Sequence, residues 1–442
     1  MRKLLAILAC KLAAAVGRLI GRGSSLPGSV ALKLCPDILG RIRYPKTVLA
    51  VTGSNGKTST TEMIAAVLRA DGREVVYNKE GSNQIQGVVT TVLTHCTLSG
   101  VMRGDVLLLE SDERYAVHSF KYFRPTHMVV LDLYRDQLTR NGHPEWVYDC
   151  LKPAVFPQTH LILNADDPLS SCYGEGREEV TWFGVERNAQ STQEPSGAYR
   201  DGSYCPVCKS PMQYAWYHFN QMGDYRCEHC GHARRTPDFA VTAVDPEGGN
   251  IVINQKVSIH LAFFSVYSVY NCAAAFAACS LVGVPDDVIA ATISRYILHN
   301  GRVVSFRLGR RHGTLLISKH ENSIGYDTNL RYICAQHEKH DLMIIVDAVS
   351  RKYFTGETSW LWDIDFDQLV SDRIENIYLT GRYVNDLAVR FAFTEVPAGK
   401  LYTDPDIRRC AAAIGGQPGN DLFVMTCFSD MNKILSLVEK ED

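Results

Sequence analysis

Residues 53–59 read Gly-Ser-Asn-Gly-Lys-Thr-Ser. They follow the apolar run Val48-Leu49-Ala50-Val51 and precede a stretch in which Ile64, Ala65, Val67 and Leu68 recur at helical spacing. A glycine-rich turn between a strand and a helix suits phosphate: backbone N–H groups at the helix start face the anion, and the glycines let it come close. Gly53, Asn55 and Gly56 would shape that cradle, Lys57 would reach terminal phosphates, and Thr58 or Ser59 would offer a hydroxyl to Mg²⁺. Val51 stands where a strict Walker A pattern has glycine. The alternative is a turn that only connects two elements.

Leu107-Leu108-Leu109-Glu110-Ser111-Asp112-Glu113 puts acidic residues at the end of a strand, the edge where open α/β sheets bind ligands. Mg²⁺ takes one or two carboxylates together with phosphate oxygens and water. Glu110 is the first choice for that ligand and Glu113 the second. Read alone, Asp112 and Glu113 also suit the N-cap of a following helix.

Cys205-Pro-Val-Cys208 and Cys227-Glu-His-Cys230 are separated by eighteen residues, a spacing that predicts a Zn²⁺ site. Four thiolates close the tetrahedron, so the site is expected to be structural. Redox work at the two pairs lacks a thioredoxin-like context. Arg226, Arg234 and Arg235 lie near Tyr217 and Phe219 and raise a minor nucleic-acid reading. A net charge of −2 argues against nucleic acid as the main partner. The other ten of the fourteen cysteines are scattered, as expected of buried thiols in a reducing, cytoplasmic compartment.

The elements around these residues alternate. Strand-like runs at 106–110, 127–133 and 160–167, with helical stretches between them, predict a mostly parallel sheet in an α/β layer architecture. Residues 186–204 read as a polar linker, and 239–263 as antiparallel strands about Gly248-Gly249. Residues 299–308 read as a junction, after which runs at 314–320, 341–349, 376–381 and 421–427 predict a second, Rossmann-like α/β domain. The expected division is an N-terminal helical segment (1–45), a central nucleotide-binding domain (46–300, with the cysteine insert at about 203–235) and a C-terminal domain (301–442). The first residues have helical periodicity, and Lys11 and Arg18 interrupt the apolar run. An amphipathic helix packed on its own domain is expected rather than a membrane span, with contact to a membrane surface as the second reading.

Thr52-Gly-Ser-Asn-Gly-Lys-Thr58 resembles the T-G-x-N-G-K-T loop of Mur ligases and folylpolyglutamate synthase. The four-cysteine insert, with its C-P-V-C and Y-x-C-x-x-C-G sequences, is similar to that of the MurT-type ligases. So are Gly21-Arg-Gly23, Leu26–Leu34, Asn78–Asn83, Leu133–Gly142 and Thr358-Ser-Trp-Leu-Trp-Asp-Ile-Asp-Phe366. The resemblance implies a Mur-ligase P-loop domain that forms an acyl phosphate from ATP and a carboxylate, with Mg²⁺ as cofactor. It implies Asn271 near the adenine, Arg302 on the phosphates, and Arg135, Asp136 and Gln137 facing the nucleotide. Asn164–Pro168 resembles another recurring Mur segment, but read alone it is an Asx turn without a catalytic role.

MurT-type ligases pair with a GatD glutaminase as a heterodimer and amidate the D-glutamate α-carboxylate of lipid II to D-isoglutamine. That implies a cytoplasmic enzyme of peptidoglycan synthesis, peripheral at the inner membrane face. Two segments depart from the family. Glu357 stands nearest to an Asp that serves the partner's triad, and Lys319–Asp327 replaces K-N-P-x-G-x-N. The alternatives are a stand-alone Mur-like carboxylate–amine ligase with another acceptor, or a non-catalytic nucleotide-binding paralogue.

Overall fold

The computed structural model describes residues 1–19, 25–78, 82–136, 142–296, 303–349, 356–416 and 419–441. They group into two compact units: residues 1–134, 143–195 and 201–297, and residues 135–142, 196–200 and 298–442.

The first unit is built on nine strands: β1 (Thr47–Thr52), β2 (Val75–Tyr77), β3 (Val106–Glu110), β4 (His127–Val130), β5 (His160–Asn164), β6 (Val180–Val185) and, after a separate ribbon of β7 (Gln213–Phe219) and β8 (Met222–Arg226), β9 (Phe239–Asp245), β10 (Asn250–Ile253) and β11 (Val257–His260). Their order is β11-β10-β9-β6-β5-β4-β1-β3-β2. All neighbours from β9 to β2 are parallel, and β10 and β11 extend the sheet antiparallel. β1 and β3 are buried on both faces, which is why they read as unbroken apolar runs. The strand order reverses at β1, which lies between β3 and β4. A crevice therefore opens at their carboxyl ends.

Four helices matter to that crevice: α1 (Arg2–Leu19), α2 (Leu26–Leu34), α3 (Lys57–Ala70) and α4 (Ile85–Thr94). Ala6, Ile7 and Cys10 of α1, Ala31 of α2 and Val88, Val89 and Val92 of α4 share one core with Val48, Ala50, Leu107 and Leu109 of the sheet. α3 packs on the small-residue helix Val266–Leu281. The strand expected over 127–133 stops at Val130, because the next residues turn their polar groups toward the loop after β1. All fourteen cysteines are free thiols, and seven of the ten outside the two pairs are buried.

The second unit holds β12 (Val303–Leu308), β13 (Arg311–Ser318), β14 (His340–Ile345), β15 (Ile374–Thr380), β16 (Leu401–Asp404), β17 (Asp421–Cys427) and β18 (Glu439–Lys440), ordered β16-β15-β14-β17-β13-β12-β18. β13 to β17 pair in parallel, and β12 and β18 close one edge antiparallel. Side chains alternate between two cores: Leu342, Ile344 and Met425 face one, Met343, Ile345 and Val424 the other. The stretch read as a junction contributes β12. Its burial alternates, with Phe306 and Leu308 buried and Ser305 and Arg307 exposed, the pattern of a strand covered on one face.

Candidate functional site

The loop after β1 is built by its neighbours. Ser54 N–H donates to the Asp132 carbonyl (2.8 Å), Asn55 N–H to Asp132 Oδ1 (2.9 Å), and Tyr134 N–H to Ser54 Oγ (2.9 Å). Gly56 caps α3 with φ +77°, and a Cβ there would lie 1.9 Å from Asn271 Oδ1. Only glycine meets both conditions. The first intrahelical bond runs from Thr60 N–H to the Gly56 carbonyl (2.9 Å). The N–H groups of Thr58 and Ser59 precede it and have no carbonyl within the helix to bond. Both residues are half-buried at the helix start, so the helix presents its positive end there.

Lys57 is only 8% exposed. Its Nζ donates to the carbonyls of Gly53 and Ser54 and pairs with Glu113 Oε1 at 2.6 Å. Buried carboxylates gather at this end of the sheet, among them Glu110, Asp112, Glu113, Asp132 and Asp167. Burial raises the Glu113 carboxyl despite Lys57, and Asp112 beside it adds to the rise. Burial also holds Asp132 far above the usual carboxylate range, against the Asn55 N–H. Asp167 is pushed up to about 6 by burial, against N–H donors from Leu133, Leu169 and Ser170. Glu110 ends β3, its backbone clasped by Asn78 (2.8 Å each way) and its Oε1 receiving Asn83 Nδ2 at 3.4 Å. At the end of β3, Glu110 is placed as one carboxylate of the kind a hard divalent cation takes together with phosphate oxygens.

The expected residues divide between the units. Gly53, Asn55, Gly56, Lys57, Thr58, Ser59, Glu110 and Asn271 belong to the first unit. The Asn271 amide lies against the Gly56 backbone, at the phosphate loop. Arg302 and Gln137 lie outside the described residues. Arg135 and Asp136 belong to the second unit. There Asp136 accepts from Asn322 Nδ2 (2.6 Å) and pairs with Lys319 (3.4 Å), while Arg135 faces Asp363 (3.6 Å) and the Tyr199 ring. Glu357 is exposed, and its Oε1 accepts the Ser359 N–H at 2.8 Å, which holds the carboxyl below its usual range.

Cys205 and Cys230 Sγ are 3.5 Å apart, as are Cys208 and Cys227, and all four sulfurs lie within 4.8 Å of one another. Tetrahedral zinc with bonds of about 2.3 Å spaces its sulfurs about 3.8 Å apart, so the donors fit. The two pairs have the same backbone. Lys209 N–H and Gly231 N–H bond the Cys205 and Cys227 carbonyls (2.9 Å each), and Lys209 (φ +61°) and Gly231 (φ +78°) both turn left-handed. Arg234, just beyond, donates to Asp166 Oδ1 at 2.7 Å, and Asp166 Oδ2 accepts from Tyr270 and the Val185 N–H. Arg234 is therefore half-buried and Phe219 buried, so neither forms part of a basic surface.

Asp132 and Asp166 were not singled out by sequence reasoning. Asp132 sits inside an apolar run, where a lone acid beyond a strand was the available signal. The Asn164–Pro168 turn is an Asx turn, with Asp166 N–H on Asn164 Oδ1 (3.0 Å), and Asp167 caps the next helix.

The Mur ligase middle domain family matches residues 51–228, and the MurT ligase C-terminal family matches residues 320–431. The lipid II isoglutaminyl synthase (glutamine-hydrolyzing) subunit MurT of Staphylococcus aureus (strain COL) is 26% identical, covering 93% of this chain and 92% of that protein. The subunit of the same name from Streptococcus pneumoniae (strain ATCC BAA-255 / R6) is 28% identical over 95% and 93%. Among solved structures, a pseudomurein peptide ligase type C from Methanothermus fervidus has a TM-score of 0.68 at 18% identity, covering 91% of this chain and 80% of that one. MurF from Acinetobacter baumannii has a TM-score of 0.63 at 15% identity, over 92% and 79%. These two share the fold. With both family domains in order along one chain and relatives spanning nearly all of it, the chain belongs to the MurT-type Mur ligases and is an ATP-dependent ligase.

Proposed function

We propose that this chain is the ligase subunit of a lipid II isoglutaminyl synthase in the cytoplasm. It amidates the D-glutamate α-carboxylate of lipid II to D-isoglutamine, in peptidoglycan synthesis, with ammonia from a GatD-type glutaminase partner. The observation that carries the ATP chemistry is the loop at the strand-order reversal, where Lys57 begins α3 and Glu110 ends the neighbouring strand β3. The acceptor and the partner rest on the two relatives named MurT subunits.

In this reading a carboxylate oxygen of the substrate attacks the γ-phosphorus of ATP and ADP leaves. Ammonia then attacks the acyl carbon, and inorganic phosphate leaves with loss of a proton. Lys57 exchanges Glu113 for the β- and γ-phosphate oxygens, and the Thr58 and Ser59 N–H groups line the same anion. Gly53, Asn55 and Gly56 form the cradle, and Asn271 holds Gly56 in place. The phosphate role of Arg302 is the one the resemblance implies. Glu110 and the Thr58 or Ser59 hydroxyl would hold Mg²⁺, which when bound neutralises phosphate charge. Cys205, Cys208, Cys227 and Cys230 would hold a structural Zn²⁺. Glu357 orients the partner's catalytic histidine, as a carboxylate does in a triad. Residues 1–45, 46–300 and 301–442 serve as N-terminal helical segment, central ATP-binding domain and C-terminal α/β domain.

The test is ATP-dependent amidation of lipid II, run with glutamine plus a GatD-type partner and separately with ammonium. Product in both, lost with Lys57→Ala, supports the reading. Glu357→Gln is expected to lose glutamine-driven turnover and keep ammonium-driven turnover. Absence of product in both, with ATP bound, would overturn the lipid II assignment in favour of another acceptor or a binding role.

A further inference from the structure

α1 has two apolar faces, and the fold uses only one. Ala6, Ile7, Cys10 and Ala14 are buried in the core shared with α2 and α4. On the opposite side Leu4, Leu5, Leu8, Leu12 and Val16 are 38–67% exposed. At about 100° per residue these five fall within an arc of roughly 120°. Ala15, also exposed, lies inside that arc. Isolated exposed leucines need no explanation, but a continuous stripe of them marks an interaction surface. Leu26 and Leu34 on α2, the helix packed beside α1, are exposed as well.

The borders of the arc identify what covers it. On the helical wheel Arg18 and Lys11 stand at one edge and Arg2 at the other, and no acidic residue precedes Asp37. Lys11 Nζ reaches the Thr94 carbonyl (2.9 Å) and Lys3 Nζ the Ser99 carbonyl (2.7 Å), so both lysines fix the helix against its own unit. An aliphatic stripe edged by cations and free of acids complements a bilayer surface: side chains enter the acyl boundary and the cations meet anionic headgroups. No helix among the described residues is long and apolar enough to cross a membrane.

We infer that the outer face of α1 lies in the plane of an anionic bilayer surface and holds the first unit there. The inference concerns docking alone and does not depend on the ligase acceptor. The test is co-sedimentation of the full chain with vesicles of phosphatidylglycerol mixed equally with phosphatidylcholine, against vesicles of phosphatidylcholine alone. Binding to the anionic vesicles, weakened by high salt and reduced at least about tenfold by Leu8→Glu with Leu12→Glu, is expected. The two glutamates sit on the exposed face, so the melting temperature is expected to stay that of the wild type. A single Leu8→Trp variant gives an independent readout: its emission shifts to the blue on addition of anionic vesicles only. No co-sedimentation and no shift overturns the inference. So does a concentration-dependent dimer abolished by the double glutamate variant, which would assign the face to a second copy of the chain.

Discussion

Lys57 is expected to carry two separable jobs, and a double-mutant cycle with Glu113 separates them. Its Nζ lies 2.6 Å from Glu113 Oε1, with side chains only 9% and 5% exposed. Lys57→Met leaves a desolvated carboxylate beside Asp112, and breaking such a pair costs about 3–5 kcal/mol. At about 2–4 °C per kcal/mol for a unit of this size, that is a drop of roughly 6–20 °C in melting temperature. Glu113→Gln strands the lysine and is expected to destabilise similarly. The double variant removes both charges together, and replacing a whole buried pair is close to neutral. It should recover to within about 1–2 kcal/mol of the wild type, a coupling energy well above that of independent sites. Activity should not recover with it. Losing one preorganised contact to transferring phosphate costs about 10²–10³ in rate, and the double variant still lacks the lysine. Calorimetry and ATP turnover on the four proteins check both halves. Additive melting losses would refute the buried-pair argument, and turnover restored in the double variant would refute the phosphate role.

Zinc analysis of the purified chain is expected to give one ion per chain, lost with Cys208→Ser together with the order of the β7–β8 ribbon, as read by hydrogen exchange; full retention of metal in that variant would contradict the four-sulfur site. Asp327 offers a pH test. It is buried, and desolvation pushes its carboxyl up to about 7. An unfolded aspartate ionises near 4. Between these values the unfolded chain releases a proton that the folded chain keeps, so stability falls as pH rises from about 4 and levels off above about 7. The full penalty is about 4 kcal/mol by that difference. Asp327→Asn is therefore expected to gain stability over the wild type as pH goes from 5 to 8, and parallel melting curves across that range would show that the site does not titrate as argued.

The residues that do chemistry through local spacing are legible in the chain alone. Gly53 to Ser59 lie between a short apolar run and a helical period, so the strand–turn–helix placement is readable locally, although Asp132, Tyr134 and Asn271 hold the turn in its final shape. The two cysteine pairs are likewise local, each closed by a bond four residues long. Their convergence across eighteen intervening residues is a property of the hairpin between them. Strand-like runs were also readable where burial on both faces leaves a continuous apolar signal, as in β1, β3 and β14.

Tertiary structure decided the partners. Lys57 meets Glu113 across 56 residues, Asn55 meets Asp132 across 77, and Arg234 meets Asp166 across 68. The first two meetings follow from β1 lying between β3 and β4, and the third from the β7–β8 ribbon lying against the turn after β5, orders that no local pattern encodes. The same holds for α1: periodicity shows an amphipathic helix, but only packing against α2 and α4 selects which stripe is buried and which faces outward. Local sequence sets torsions and hydrogen bonds within a few residues. Which buried charge finds its counter-charge depends on the global arrangement of strands, because the desolvation that makes the pairing matter exists only once the sheet has closed over it.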